Sequence, residues 1–380
     1  MQRSPVIAFP AAPGALATGP QALRAEPGAR PLGIPRGIPW PRLLATAAAT
    51  LATLAHAGTG VLTLPAQGDD LPVTVFYPTA QADAPLRRGP YTVSLAENAQ
   101  PQRGNGHLVV ISHGSGGSPW ENSDLARALV AAGFFVAVPQ HRGDNPYDHA
   151  MMGPATWKLR PVEVSHAIDA VGRSTGLAPL LSLDSVGMYG MSAGGHTALT
   201  LAGGRWSPAQ LNRHCQEHIA DDFASCVGAA SELHGNVFDG MKKAVARTVI
   251  KVKLRDETWY AHRDPRIKAV VAGVPFAADF DFASLARPAV PLALVTSGKD
   301  TWLTPRFHSQ RVLQACRPNC ELLVDIPTGG HAALLSPPPP AQALSPVVAR
   351  LLADPPGFDR AQMPAVDQRI VAFFRQHLVP

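Results

Sequence analysis

The sequence predicts an α/β protein in which a mostly parallel central sheet is covered by helices on both faces and interrupted by a helical cap insertion. Three observations lead there. From residue 107 onward, short continuous apolar runs alternate with amphipathic segments of helix length, the pattern of parallel strands buried on both faces. One run ends in a serine among glycines, MYGMSAGGHTAL from Met188 to Leu199. One interval, residues 204–266, breaks the rhythm and is too long for a plain connector.

Composition sets the outer limits. The chain has 380 residues, of which 46% are apolar and 16% charged, enough for one sizeable core. The formal net charge is +5, but residues 1–57 hold five arginines against a single glutamate, so most of it lies in that segment. No basic patch interleaved with aromatics remains, which argues against a nucleic-acid partner.

Residues 1–41 are rich in Pro, Gly, Ala and Arg without hydrophobic periodicity, and read as a disordered tail or an upstream extension of the coding frame. Behind Arg42 follows LLATAAATLATLAHA, ending in Ala55-His56-Ala57. A positive charge, an apolar run and a small-residue site are the layout of a signal peptide over residues 42–57, and the run is short for a stable membrane span. A secreted or periplasmic protein is therefore expected. The four cysteines agree, since Cys215 with Cys226 and Cys316 with Cys320 form two close pairs suited to local disulfides. Neither pair has a matching second CxxC or a His pair at ligand spacing, so no zinc site is expected; no other metal and no organic cofactor is expected either.

The elements follow in order. GVLTLPA (60–66) and LPVTVFYP (71–78), joined by Gln-Gly-Asp-Asp, read as an antiparallel hairpin. Strands are then expected at 107–114, 134–140, 186–192, 267–275, 291–298 and 320–327. NSDLARALVAAG, VEVSHAIDAVGRS, AGGHTALTLAGG, PRFHSQRVLQAC and AVDQRIVAFFRQHL are the helices that cover them. Residues 204–266 are expected to cap the carboxyl ends of the strands, where such sheets bind ligands.

Ser192 ends a strand and begins a helix, so its hydroxyl projects from a sharp turn that Gly190 and Gly194 leave room for. The helix amides and positive dipole end face whatever this serine attacks. A serine needs a base, and His331, in PTGGHAALL after the last strand, is the candidate among fourteen histidines. His196, one turn beyond Ser192, points along the helix body. The base needs a carboxylate, and Asp300 in VTSGKDTWLTP is favoured over Asp279 and Asp281 because it follows a strand end in a compact turn. An oxyanion hole is expected from the amides of Ala193 and Ser115, with Gly116 as the alternative to Ser115 and His113 shaping their loop. RGDNPYDH (142–149) is a candidate for lining the pocket, as are Trp157, Trp259 and Trp302.

Through HGSGG, GMSAGG, GKD and GGH in that order, residues 60–378 resemble the α/β-hydrolase superfamily. Within it, LPVTVFYP and PQHRGDN resemble bacterial predicted dienelactone hydrolases related to platelet-activating-factor acetylhydrolases. The resemblance implies an α/β-hydrolase fold with Ser192 as nucleophile, Asp300 as acid, His331 as base, and Ser115 and Ala193 lining the oxyanion hole. It also implies a serine ester hydrolase acting on a small-molecule or lipid-like ester. Dienelactone hydrolases carry cysteine at the elbow where this chain has Ser192, so the label does not carry a substrate with it. An acyltransferase on the same residues and a catalytically inactive ligand-binding homologue are the other two readings.

Overall fold

The computed structural model describes residues 58–68 and 70–380; the expected N-terminal extension and signal peptide, residues 1–57, lie outside them. Among the described residues ten strands form: β1 (Gly58–Leu64), β2 (Val73–Thr79), β3 (Ala84–Arg88), β4 (Tyr91–Glu97), β5 (Leu108–Ser112), β6 (Phe135–Pro139), β7 (Val186–Met191), β8 (Ile267–Gly273), β9 (Leu292–Ser297) and β10 (Glu321–Ile326). The helices are α1 (Ser123–Ala131), α2 (Pro154–Trp157), α3 (Arg160–Arg173), α4 (Ala193–Leu201), α5 (Pro208–His218), α6 (Phe223–Val227), α7 (Asp239–Lys253), α8 (Ser309–Cys316), α9 (Pro346–Leu351) and α10 (Met363–Leu378).

The sheet order is β10-β9-β8-β7-β5-β6-β2-β1-β4-β3. Its first six strands are mutually parallel, and β2 joins β6 antiparallel. All eight strands expected from sequence form, and β1 pairs β2 antiparallel as the hairpin reading requires. The sequence reading missed β3 and β4, an antiparallel pair at the sheet edge.

Side chains alternate across the pleat, so Leu108 and Val110 enter one core and Val109 and Ile111 the other. The first core receives residues of α3, α4 and α8, and the second those of α1 and α10. Helices therefore cover both faces. The insertion 204–266 holds α5, α6 and α7, with the Cys215–Cys226 bond tying α5 to α6; Cys316 and Cys320 form the second disulfide.

The insertion docks on loops at the carboxyl ends of the parallel strands. His308, in the loop after β9, receives the Ala277 N–H on Nδ1, which leaves Nε2–H to donate to Asp222 at 3.0 Å. His214 donates to the same carboxylate at 2.8 Å. Burial pushes the Asp222 carboxyl up, but these donors outweigh it and hold the group well below the carboxylate range. Lys158, in the segment after β6, binds Asp256 at 2.9 Å and the Tyr260 hydroxyl oxygen at 2.7 Å.

One buried carboxyl opposes the fold at neutral pH. Asp367 on α10 is pushed up to about 7 by burial and by the charge of Asp124. The folded chain thus keeps a proton that the unfolded chain releases near the ordinary value of 3.8. Its contribution to stability is greatest below that value and is lost as pH rises through about 7. Asp367→Asn is expected to remove that slope and raise stability at pH 8 by ~2–4 kcal/mol. Urea denaturation at pH 5 and pH 8 checks this, and an unchanged slope in the variant would refute it.

Candidate active site

β7 delivers Ser192 to the start of α4 with φ 58° and ψ −116°, a left-handed conformation costing a non-glycine residue ~1–3 kcal/mol. The turn is held by the Ser192 N–H donating to Gly273 O at 3.1 Å and the Phe276 N–H donating to Ser192 O at 3.1 Å. It is also crowded. A Cβ at Gly190 would lie 1.9 Å from Gly194 O, and one at Gly194 would lie 1.8 Å from Ser112 O. Only glycine fits at either position, so the small neighbours of Ser192 follow from the bend.

The turns just after β9 and β10 bring two further groups to this hydroxyl. His331 Nε2 lies 3.0 Å from Ser192 Oγ, and His331 Nδ1 lies 2.8 Å from Asp300 Oδ2. The other Asp300 oxygen accepts the amides of Trp302 and Leu303 at 2.9 and 2.8 Å, which fixes the carboxylate plane. A carboxylate can only accept, so Nδ1 carries the proton and Nε2 is free to accept that of Ser192. His331 and Asp300 are each 5% exposed, so water competes little for these bonds. Gly329 and Gly330 are places of close approach, because added Cβ atoms would meet Ile326 Cγ2 at 2.8 Å and Pro355 Cδ at 2.9 Å.

The rival carboxylates have other partners. Asp279 lies 3.0 Å from His196 Nε2, and both are fully buried. Asp281 pairs with Arg205 and accepts the Ala283 N–H. Among the tryptophans, Trp302 sets its ring 5.4 Å from the His331 ring, whereas Trp157 stacks on His196 at 4.7 Å and Trp259 is largely exposed beneath Arg205.

Ala193 heads α4, where the first-turn amides have no intrahelical acceptor. In the facing loop, Gly116 N–H donates to Asp144 Oδ1 at 2.7 Å, and the Ser115 hydroxyl donates to the same oxygen at 2.7 Å. The Gly116 amide is therefore engaged, and Ser115 stands as the loop's candidate donor. His113 is fully buried with Nδ1 on Gly114 O at 2.8 Å, in keeping with the expected shaping role. Burial, with His141 and Arg160 nearby, holds its imidazole well below the usual range and keeps it neutral.

Sequence reasoning missed the brace beneath this loop. The fully buried Arg160 guanidinium donates to Asp144 Oδ2 at 2.7 Å and to His113 O at 2.6 Å. Burial pushes the Asp144 carboxyl up, but Arg160, Ser115 and Gly116 prevail and hold it below its ordinary value. Beside the pair, His141 bridges Ser112 Oγ at 2.7 Å and Glu163 at 2.6 Å. Asp144 of RGDNPYDH thus turns inward as a brace for the loop, while Tyr147 projects into solvent. Arg160→Met leaves the Asp144 charge buried and unpaired and is expected to cost ~3–5 kcal/mol. Chemical denaturation measures it, and a loss below ~1 kcal/mol would contradict the brace.

Sheet order, elbow and converging loops together define the class. The protein has the α/β-hydrolase fold. A solved structure with this architecture, the ferulic acid esterase from Streptomyces cinnamoneus, matches with a TM-score of 0.52 and 17% identity, covering 87% of this chain and 92% of that one. At that identity the likeness bears on the fold. No protein-family model matches the sequence, and none of the curated proteins matches it significantly.

Proposed function

We propose that the protein is an exported serine hydrolase that cleaves carboxylic esters through an acyl-enzyme. The observation that carries this reading is the chain of hydrogen bonds from Ser192 Oγ through His331 to Asp300, at 3.0 and 2.8 Å. His331 Nε2 takes the Ser192 proton as Oγ attacks the ester carbonyl; Asp300 steadies the imidazolium that forms. The Ala193 and Ser115 amides receive the oxyanion. His331 then protonates the departing alcohol, and water attacks the acyl-enzyme with the same histidine as base, returning Ser192 and releasing the acid.

That the structural neighbour is an esterase supports the activity, and the two disulfides support the exported location. The substrate class is a small-molecule or lipid-like ester. Hydrolysis of p-nitrophenyl esters of graded acyl length tests the reading, with a burst of nitrophenol equivalent to enzyme expected wherever deacylation is slow. Absence of turnover at every acyl length would remove it. Turnover that yields a new ester in preference to acid when an alcohol is added would reassign the site to acyl transfer.

A further inference from the structure

Helix α7 presents an apolar row outward, against the usual orientation of an amphipathic helix. Phe238, Met241, Val245, Val249 and Val252 recur at intervals of three and four residues, and these five are 45–61% exposed. Asp239 and Ile250, on the other side, are the residues α7 buries. The 15-residue helix extends this row over about 22 Å. A contiguous exposed apolar row of this kind marks an interaction surface.

Charge narrows the choice of partner. Lys251 and Lys253 flank the row, Arg255 follows just past the helix end, and Lys243 and Arg247 lie farther round the helix; none of the five is paired with a carboxylate among the described residues. Lys242 does have a partner, binding Asp239 and the Glu232 carbonyl. Asp239 is the only acidic residue between 239 and 255, and it is turned inward. Two copies meeting through this row would set these cations against one another. An apolar row flanked by the long side chains of Lys251 and Lys253 instead matches a surface with an apolar interior and anionic headgroups, into which valine, methionine and phenylalanine insert while the cations stay at headgroup level.

We propose that α7 is an interfacial helix that seats the cap on an anionic lipid surface. The inference stands independently of the role given to Ser192. Because α7 belongs to the insertion docked on the strand-end loops, seating it would place those loops near the lipid–water boundary.

The test is co-sedimentation of the full chain with phosphatidylcholine vesicles and with vesicles containing phosphatidylglycerol. Binding to the anionic vesicles is expected to exceed that to the neutral ones by on the order of tenfold, and to weaken in high salt. Val245→Asp/Val249→Asp is expected to abolish binding, and Lys251→Glu/Lys253→Glu to abolish the anionic preference. Both variants should leave hydrolysis of a water-soluble ester and the circular dichroism spectrum unchanged. No binding to either vesicle, equal binding to both, or undiminished binding by the variants would overturn the proposal. A lipid-free dimer that Val245→Asp/Val249→Asp converts to monomer would overturn it too, by assigning the row to a second copy.

Discussion

Ser192→Ala is expected to lower kcat on a soluble ester by about 10⁵–10⁶-fold and leave the fold intact. The Oγ atom removed is the one 3.0 Å from His331 Nε2, and among the described residues no other side chain hydrogen-bonds that nitrogen. Alanine meets no new steric conflict at φ 58° beyond what serine already bears, so thermal stability should be nearly unchanged. A parallel His331→Ala variant should lose a similar factor, and the double variant little more, since nucleophile and base act as a unit. Additive losses would mean that the two side chains serve separate functions.

Asp300→Asn is the second large effect, about 10⁴-fold in kcat. Asparagine retains an oxygen for the Trp302 and Leu303 amides, so the turn after β9 should hold. Its NH₂ group faces His331 Nδ1 where a carboxylate oxygen stood, and a donor there favours the tautomer with the proton on Nε2. That imidazole cannot accept the serine proton. The loss should fall in kcat with KM little changed, because the carboxylate is remote from the ground-state substrate. A rise confined to KM would show that Asp300 shapes binding and does not orient the base.

The parallel core was legible because its strands are continuous apolar runs, which leave few alternatives when joined by helices. β3 and β4 were not, since an edge hairpin carries exposed Ala84, Pro85, Arg87 and Thr92 that dilute the alternation of Tyr91, Val93 and Leu95. Ser192, Asp300 and His331, which lie within hydrogen-bond reach of one another, each stood out through a local signature: a serine among glycines at a strand end, a turn after a strand, a histidine after the last strand. The Arg160–Asp144 brace left no comparable mark. Charged residues read locally as solvent-facing, and here burial follows from a helix and a loop that meet only in the folded chain. Pro161 in the first turn of α3 marks a helix start but says nothing of the arginine before it pointing inward. The apolar row of α7 had the reverse problem, because periodicity reports that a helix has an apolar face without reporting which way the face turns.

The most direct measurement is the site of covalent capture by a fluorophosphonate, read by mass spectrometry of the digested protein. The peptide that contains Ser192 should carry one adduct in the native chain and none in Ser192→Ala. An adduct on any other residue, or undiminished labelling of the variant, would contradict the account.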